Sequence, residues 1–282
     1  MLQNLLILSP HSIGVAHMHF NFKGHLIIIA LILLYLGYKF IVPYGRHFFM
    51  HMDSKEVYKN MQQEQTPWYV YGNSTNDRPI YVLKLGDHAF TSLIFGAFHG
   101  DEQNGFHLVK RLADTLYQNP HLINQSVVLV PVVNPDGLMA KTRTNANKVD
   151  INRNFPTDNW SPVYQKARHH PGPNPASEVE TQLVLKMIDD FNPDQIISVH
   201  APLEVNNYDG PAEQLADVLH QHNGYPVSAD IGYSTPGSFG TYAGDELNIP
   251  VVTLELPDVG VDKAWKQNRQ ALLAAINYST GN

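Results

Sequence analysis

The 282-residue chain contains no cysteine. Disulfide frameworks, thiolate-ligated metal sites and thiol nucleophiles are thereby excluded, and any metal must be held by His, Asp or Glu. Charged residues are sparse at 16%, while apolar residues make up 43%, which is the balance of a folded chain rather than a disordered one. Arginine is scarce, with seven in the chain, so each one placed in a loop carries information. A basic excess is also missing from most of the sequence. Residues 1–62 hold five cations against two acids, and the remainder carries a net charge of −10. An acidic body argues against a nucleic-acid partner. Internal repeats and low-complexity tracts are absent. Histidine is what the chain has in plenty, with 15 residues.

Residues 25–42 read HLIIIALILLYLGYKFIV, nearly continuous apolar sequence broken only by Lys39. At about 1.5 Å per residue this run is just long enough to cross a bilayer core of about 30 Å. The expected organisation is a tail over 1–22, a transmembrane anchor over 23–46, a polar stalk over 47–66 and a globular body over 67–282. The anchor implies a single-pass protein of the inner (cell) membrane. Lys39 near the end of the run, with Arg46, Lys55 and Lys59 beyond it, outweighs Lys23 and the N-terminal amine at its start, a charge bias that places the body on the cytoplasmic side. An uncleaved anchor and the absence of cysteine fit a body on the periplasmic side instead.

Within the body, strands are expected over 80–85, 92–98, 126–133, 195–199 and 249–256. Helices are expected over 102–117, 179–191, 212–221 and 262–278. Ser177 followed by Glu180 reads as a capping box opening the second of these helices. Buried strands separated by helices predict an α/β fold, a mostly parallel sheet flanked by helices, with ligands beyond the carboxyl ends of the strands.

Chemistry-bearing residues collect at those ends. His99 and Glu102 follow a strand in the sequence HGDE, a spacing that lets an imidazole and a carboxylate converge on one ion. His200 ends a second apolar strand, and two His with one Glu form a catalytic metal set with a coordination position left for water. Glu255 ends a third strand, where a carboxylate is costly to bury without a purpose. It suits a general base or a strand-end ion pair. The long polar segment 134–155 holds two arginines, Arg143 and Arg153, able to serve a substrate carboxylate or an oxyanion. TPGSFG at 235–240 is a glycine-bearing loop able to act as a lid, with Tyr242 beside it.

In order, HGDE, NPDG, KTR, VDINRNFP, ASEVET, SVH and TLELPD resemble the zinc carboxypeptidase family from about residue 68 to about residue 280. The resemblance implies a single zinc-carboxypeptidase-like domain with one zinc ion held by His99, Glu102 and His200. It further implies Glu255 as general base, Arg143 as the cation that stabilises the oxyanion, and Asn152 with Arg153 as the clamp on a terminal carboxylate. Asp150 becomes the acceptor that orients a zinc histidine, and Tyr242, offset by about one position, the nearest counterpart of the family's substrate-binding tyrosine. The segments RTNANKVDINRNFPTDNW, ASEVETQ, HAPL and IGYSTPGSFGTYAGD are similar to those of family members that act on murein peptides, at the γ-D-glutamyl–meso-diaminopimelate bond. The expected partners are therefore a murein tripeptide or related peptide with a free carboxylate and, through the N-terminal helix, a membrane. Two other readings stay open: a zinc carboxypeptidase or N-acyl amino acid deacylase with another substrate, and an inactive membrane-anchored binding protein.

Overall fold

A computed structural model describes residues 22–41 and 53–279. The tail over 1–21, most of the segment joining the apolar run to the body, and the last three residues lie outside the described residues. The chain divides into two units, Met1–His47 and Phe48–Asn282.

In the first unit, α1 (Phe22–Leu36) is continued by a π-helical turn, Gly37–Ile41. Its 15 residues cover about 22 Å at the α-helical rise. Among the described residues, no helix is long and apolar enough to cross a membrane. Ile27, Ile28, Leu31, Leu34, Tyr35 and Tyr38 stand exposed along it.

The second unit starts earlier than the sequence pattern suggests. Residues 53–60 form α2, and Ser54, Tyr58 and Met61 are buried at helical spacing. Tyr58 and Met61 pack with Phe106 and Leu138, and the Tyr58 hydroxyl donates to the Pro79 carbonyl at 2.7 Å. Ser54 Oγ lies 2.8 Å from His107 Nε2. The described part of the expected stalk, 53–66, is thus part of the body, because three well-spaced side chains give it a face to bury.

The sheet is built around strands that are buried on both faces, as parallel strands under helices must be. These are β3 (Thr91–Gly96), β4 (Ser126–Val130), β5 (Gln195–His200) and β8 (Val251–Pro257). The edges are β1 (Tyr69–Asn73) and β2 (Pro79–Leu85) on one side, with β6 (Leu203–Asp209) and β7 (Val227–Ser228) on the other. The order is β1-β2-β4-β3-β5-β8-β6-β7. The centre, β4-β3-β5-β8, is parallel, while β2 joins β4 and β6 joins β8 antiparallel. The sheet is therefore mixed.

Successive side chains of a strand point to opposite faces, and two cores result. Ile94, Leu129, Ile197 and Val252 pack against α3 (Gln103–Gln118), α6 (Glu213–Asn223) and α7 (Val261–Asn277). Leu93, Phe95, Val128 and Ile196 pack against α5 (Val179–Phe191) and the rings of Phe98, Phe155 and Phe239. The expected capping box is not formed. Glu178 is the N-cap of α5, and Glu180 instead accepts from Thr75 N and Asn145 Nδ2, both at 2.9 Å. A buried loop amide offers that carboxylate a partner in place of the helix's own N–H groups.

Candidate active site

Parallel pairing brings the carboxyl ends of β3, β5 and β8 to one edge, with His200 in direct register with Glu255. Beyond β3 the backbone turns sharply, with Ala97 in the left-handed region at φ 45°. Gly100 then lies so close to the NPDG turn that a Cβ there would come within 1.8 Å of the Gly137 carbonyl carbon. That turn opens α4 (Pro135–Ala140), capped by Asn134, whose Oδ1 accepts from Gly137 N at 2.8 Å. Asn134 Nδ2 donates to the carbonyls of Phe98 and Arg143, so one buried side chain ties the HGDE turn to the arginine loop.

His99, Glu102 and His200 converge. His99 Nδ1 lies 2.7 Å from Glu102 Oε1, and His200 Nδ1 lies 2.9 Å from Glu102 Oε2. The two Nδ1 atoms are 3.2 Å apart. Both imidazoles are nearly fully buried. His99 Nε2 meets Asp150 Oδ1 at 3.1 Å, and a carboxylate can only accept, so this nitrogen carries the proton. In a neutral ring the Nδ1 lone pair then faces the carboxylate of Glu102, which demands a cation between them. Burial alone would lower the His99 pKa, yet Glu102 and Asp150 outweigh it and the net shift is upward. Ligand atoms bound at about 2.0–2.1 Å around a tetrahedral ion sit about 3.3 Å apart, close to the 3.2 Å between the two nitrogens. The donor set therefore fits zinc.

Around this centre, Asp150 is wholly buried and serves two partners, His99 Nε2 and, at 2.8 Å, Arg143 Nε. Burial would raise its carboxyl, but His99 and Arg143 hold it well below the ordinary range. Arg143 Nη1 also reaches Glu102 Oε1 at 3.4 Å. Glu255 is 8% exposed and accepts from Leu203 N at 3.4 Å. Burial pushes its carboxyl up, opposed by His200 and reinforced by Glu102. Arg153 is buried without a carboxylate partner among the described residues, its Nη1 resting on the Asn152 carbonyl at 2.5 Å. Asn152 Oδ1 accepts from Phe239 N at 2.8 Å, which leaves its amide nitrogen for a ligand.

All of these but Asp150 line one cleft of about 390 Å³. Tyr242 does not line it. Its half-buried ring stacks on Phe155 with centroids 5.9 Å apart, against the edge of the apolar core, so the substrate-contact role expected for it is not the one its position supports. Tyr233 lines the cleft instead. Two further groups escaped the sequence reading. Lys166 and Arg168 stand at the mouth, and Asp209 lies in the cleft below Glu255. In the antiparallel register of β6 on β8, Val205 faces Glu255 and Asp209 faces Val251, so Asp209 sits four residues, about 13 Å, deeper. Gly240 and Gly244 leave the space its side chain fills, since a Cβ on Gly240 would come within 2.1 Å of Asp209 Oδ2. Burial and the charge of Asp245 push the Asp209 carboxyl up to about 6. Glycines four apart in TYAG and its preceding turn were the available signal for a side chain held against them.

A pair of imidazoles and a carboxylate poised for a metal, a buried carboxylate base and a cleft carrying cations define a metal-dependent hydrolase of amide bonds. The model of the zinc carboxypeptidase family matches residues 56–213, and the chain belongs to that family. It is 32% identical over 222 residues to murein peptide amidase A of Vibrio campbellii, a match covering 74% of this chain and 86% of that protein. The Escherichia coli K12 protein of the same name is 36% identical over 199 residues, covering 67% and 80%. The crystal structure of the murein-tripeptide amidase of Escherichia coli O157 superposes with a TM-score of 0.66 at 30% identity, over 76% of this chain and 93% of that one. The chain is a zinc-dependent hydrolase with the single α/β domain of this family.

Proposed function

We propose that this protein hydrolyses the γ-D-glutamyl–meso-diaminopimelate bond of murein peptides as an exo-acting amidase. The observation that carries the reading is the charge order of the cleft. Arg153, buried without an anionic partner, awaits a terminal carboxylate with Asn152, while Asp209 at the floor awaits an ammonium group. Meso-diaminopimelate offers both, a carboxylate beside the scissile nitrogen and, at the far end of its side chain, an amino group on a carbon that also bears a second carboxylate. The relatives named murein peptide amidase A support the same substrate class.

The zinc held by His99, Glu102 and His200 would act as Lewis acid, lowering the pKa of water and polarising the carbonyl. Glu255 takes the proton of the attacking water and returns it to the leaving nitrogen. The Arg143 guanidinium, aimed by Asp150, donates to the carbonyl oxygen as negative charge develops on it, a contribution of roughly 3 kcal/mol by comparison with the loss of one oxyanion donor. Arg153 and Asn152 fix the carboxylate and so the position of the scissile bond. Tyr233 lines the same cleft and offers a ring to the bound residue.

We further propose that segment 22–41 associates with the inner membrane and that the body faces the periplasm, where wall peptides are released. The exposed apolar side chains along α1 support the membrane contact. Retention of the full chain in carbonate-washed membranes, and its digestion by protease added to spheroplasts, are the expected results.

The test of activity is incubation of the zinc-loaded protein with L-Ala-γ-D-Glu-meso-diaminopimelate. Free diaminopimelate should appear, stop with a chelator and return with zinc. A folded, zinc-loaded sample that releases none overturns the assignment.

A further inference from the structure

The sheet order places the parts of the cleft along a line. In the order β3-β5-β8-β6, the turn after β3 carries His99, Asp101 and Glu102, β5 and β8 bring His200 and Glu255, and Asp209 lies on β6, so Asp101 and Asp209 fall on opposite sides of β5 and β8. If the leaving diaminopimelate occupies the Asp209 flank, the acyl half of the substrate must extend over the Asp101 flank. There the loop between α4 and α5 presents two cations. Arg168 Nη2 lies 3.4 Å from Asp101 Oδ2, a long contact that leaves most of its fork open. The Lys166 ammonium has no ion pair among the described residues. The loop is not a free strap. Asp150 N donates to the His170 carbonyl at 2.8 Å, and Asp158 N donates to Glu246 at 2.7 Å, so the cations are carried on a segment fixed at both ends.

We propose that Lys166 and Arg168 form a subsite for a carboxylate on the acyl side of the scissile bond, and that they read the free α-carboxylate of the γ-linked glutamyl residue. The inference rests on the substrate class proposed above. In a γ-linked glutamyl residue, the α-carboxylate is free and stands a few carbons from the carbonyl under attack. In an α-linked peptide of a neutral residue the same region is occupied by uncharged backbone or side chain. Two cations at this place would thus distinguish the γ-linked glutamyl residue from a neutral one by charge, independently of the clamp on the leaving half. Both residues are solvent-exposed, so the discrimination should be moderate and salt-sensitive.

The experiment compares two peptides, L-Ala-γ-D-Glu-meso-diaminopimelate and its counterpart whose glutamyl α-carboxylate is a neutral carboxamide. The wild-type zinc protein should prefer the acid by about tenfold in kcat/KM, chiefly through KM, the size expected of one charged hydrogen bond. In a Lys166→Gln/Arg168→Gln double variant the acid-to-amide ratio should fall towards one, whereas Arg168→Lys should keep most of it. Raising the salt concentration should shrink the wild-type ratio and leave the double variant's ratio where it is. A wild-type ratio near one, or a ratio that the double variant retains, overturns the subsite while the amidase reading stands. Release from neither peptide overturns both.

Discussion

Replacing Asp209 with Asn separates what the cleft floor costs from what it does. The carboxyl is held near pH 6, against an ordinary value of 3.8, by burial and by Asp245. That gap corresponds to about 2–3 kcal/mol of folding free energy at neutral pH. Because the folded value lies above the unfolded one, folding favours the protonated acid. The stabilising state is therefore fully present below pH 3.8 and is lost as the pH rises through about 6. Asn is neutral at every pH and nearly the same shape. Asp209→Asn should therefore unfold roughly 4–10 °C above the wild type at pH 7.5, and within a degree or so of it at pH 4. At the same time KM for the diaminopimelate peptide should rise about 10- to 100-fold, the loss of one charge-assisted contact. Thermal unfolding at the two pH values, followed by Michaelis kinetics at pH 7.5, reads both effects. A stability gain that is equally large at pH 4, or absent at pH 7.5, refutes the burial argument. An unchanged KM refutes the ammonium-binding role.

Glu255→Gln should keep a full zinc complement and lose about 10²–10⁴-fold in kcat, measured by metal analysis and turnover; loss of the metal would make Glu255 a ligand instead. Arg153→Ala should raise KM for peptides with a free terminal carboxylate by about 10- to 100-fold and barely change kcat, and an equal fall in both parameters would place the side chain elsewhere in the reaction. Asp150→Asn should weaken zinc binding about 10- to 100-fold in a chelator competition and also lower kcat, since one carboxylate orients both His99 and Arg143. Wild-type affinity in that variant would show that His99 needs no partner on Nε2.

That the candidate metal ligands, Glu255 and the two arginines lie near one another is legible in the sequence, because each sits at the end of an unbroken apolar run or in a polar segment too long for a simple connection. Sequence adjacency to a buried strand fixes their place in space once the strands are parallel. Asp209 is not legible for the converse reason. Its strand, LEVNNYD, lacks apolar alternation because Asn206 and Asn207 fill buried positions by bonding to loop groups, among them the carbonyls of Tyr225 and Ser228. Lys166 and Arg168 read as an ordinary solvated run, and only the fold of their loop brings them to the cleft. Tyr242 shows the limit of aligning one ring by spacing. The glycine-rich segment before the last strand contains two tyrosines, and the one nearer the pattern is drawn into the core against Phe155, while Tyr233 takes the wall.

A single irregular stretch between α4 and α5 carries Arg143, Asp150, Asn152, Arg153, Lys166 and Arg168, so every Lys and Arg side chain lining the cleft depends on a segment with little regular structure. Its rigidity comes from side chains. Glu178 and Glu180 are buried at the start of α5, where two carboxylates would repel each other without donors. Asn145 Nδ2 bonds both, at 2.7 and 2.9 Å, and Asn147 Nδ2 bonds Glu178 at 2.8 Å. Asn145 Oδ1 in turn accepts from the backbone of Asn147 and Val149, which sets the turn ahead of Asp150. Asn154 closes the other side, donating to Pro171 and Asn174 carbonyls. The NANK and SEVE segments therefore touch no reacting atom, yet the hydrogen bonds that satisfy two buried acids also fix the loop carrying Arg143 and Arg153, which is the preorganisation that a charge-stabilising site requires.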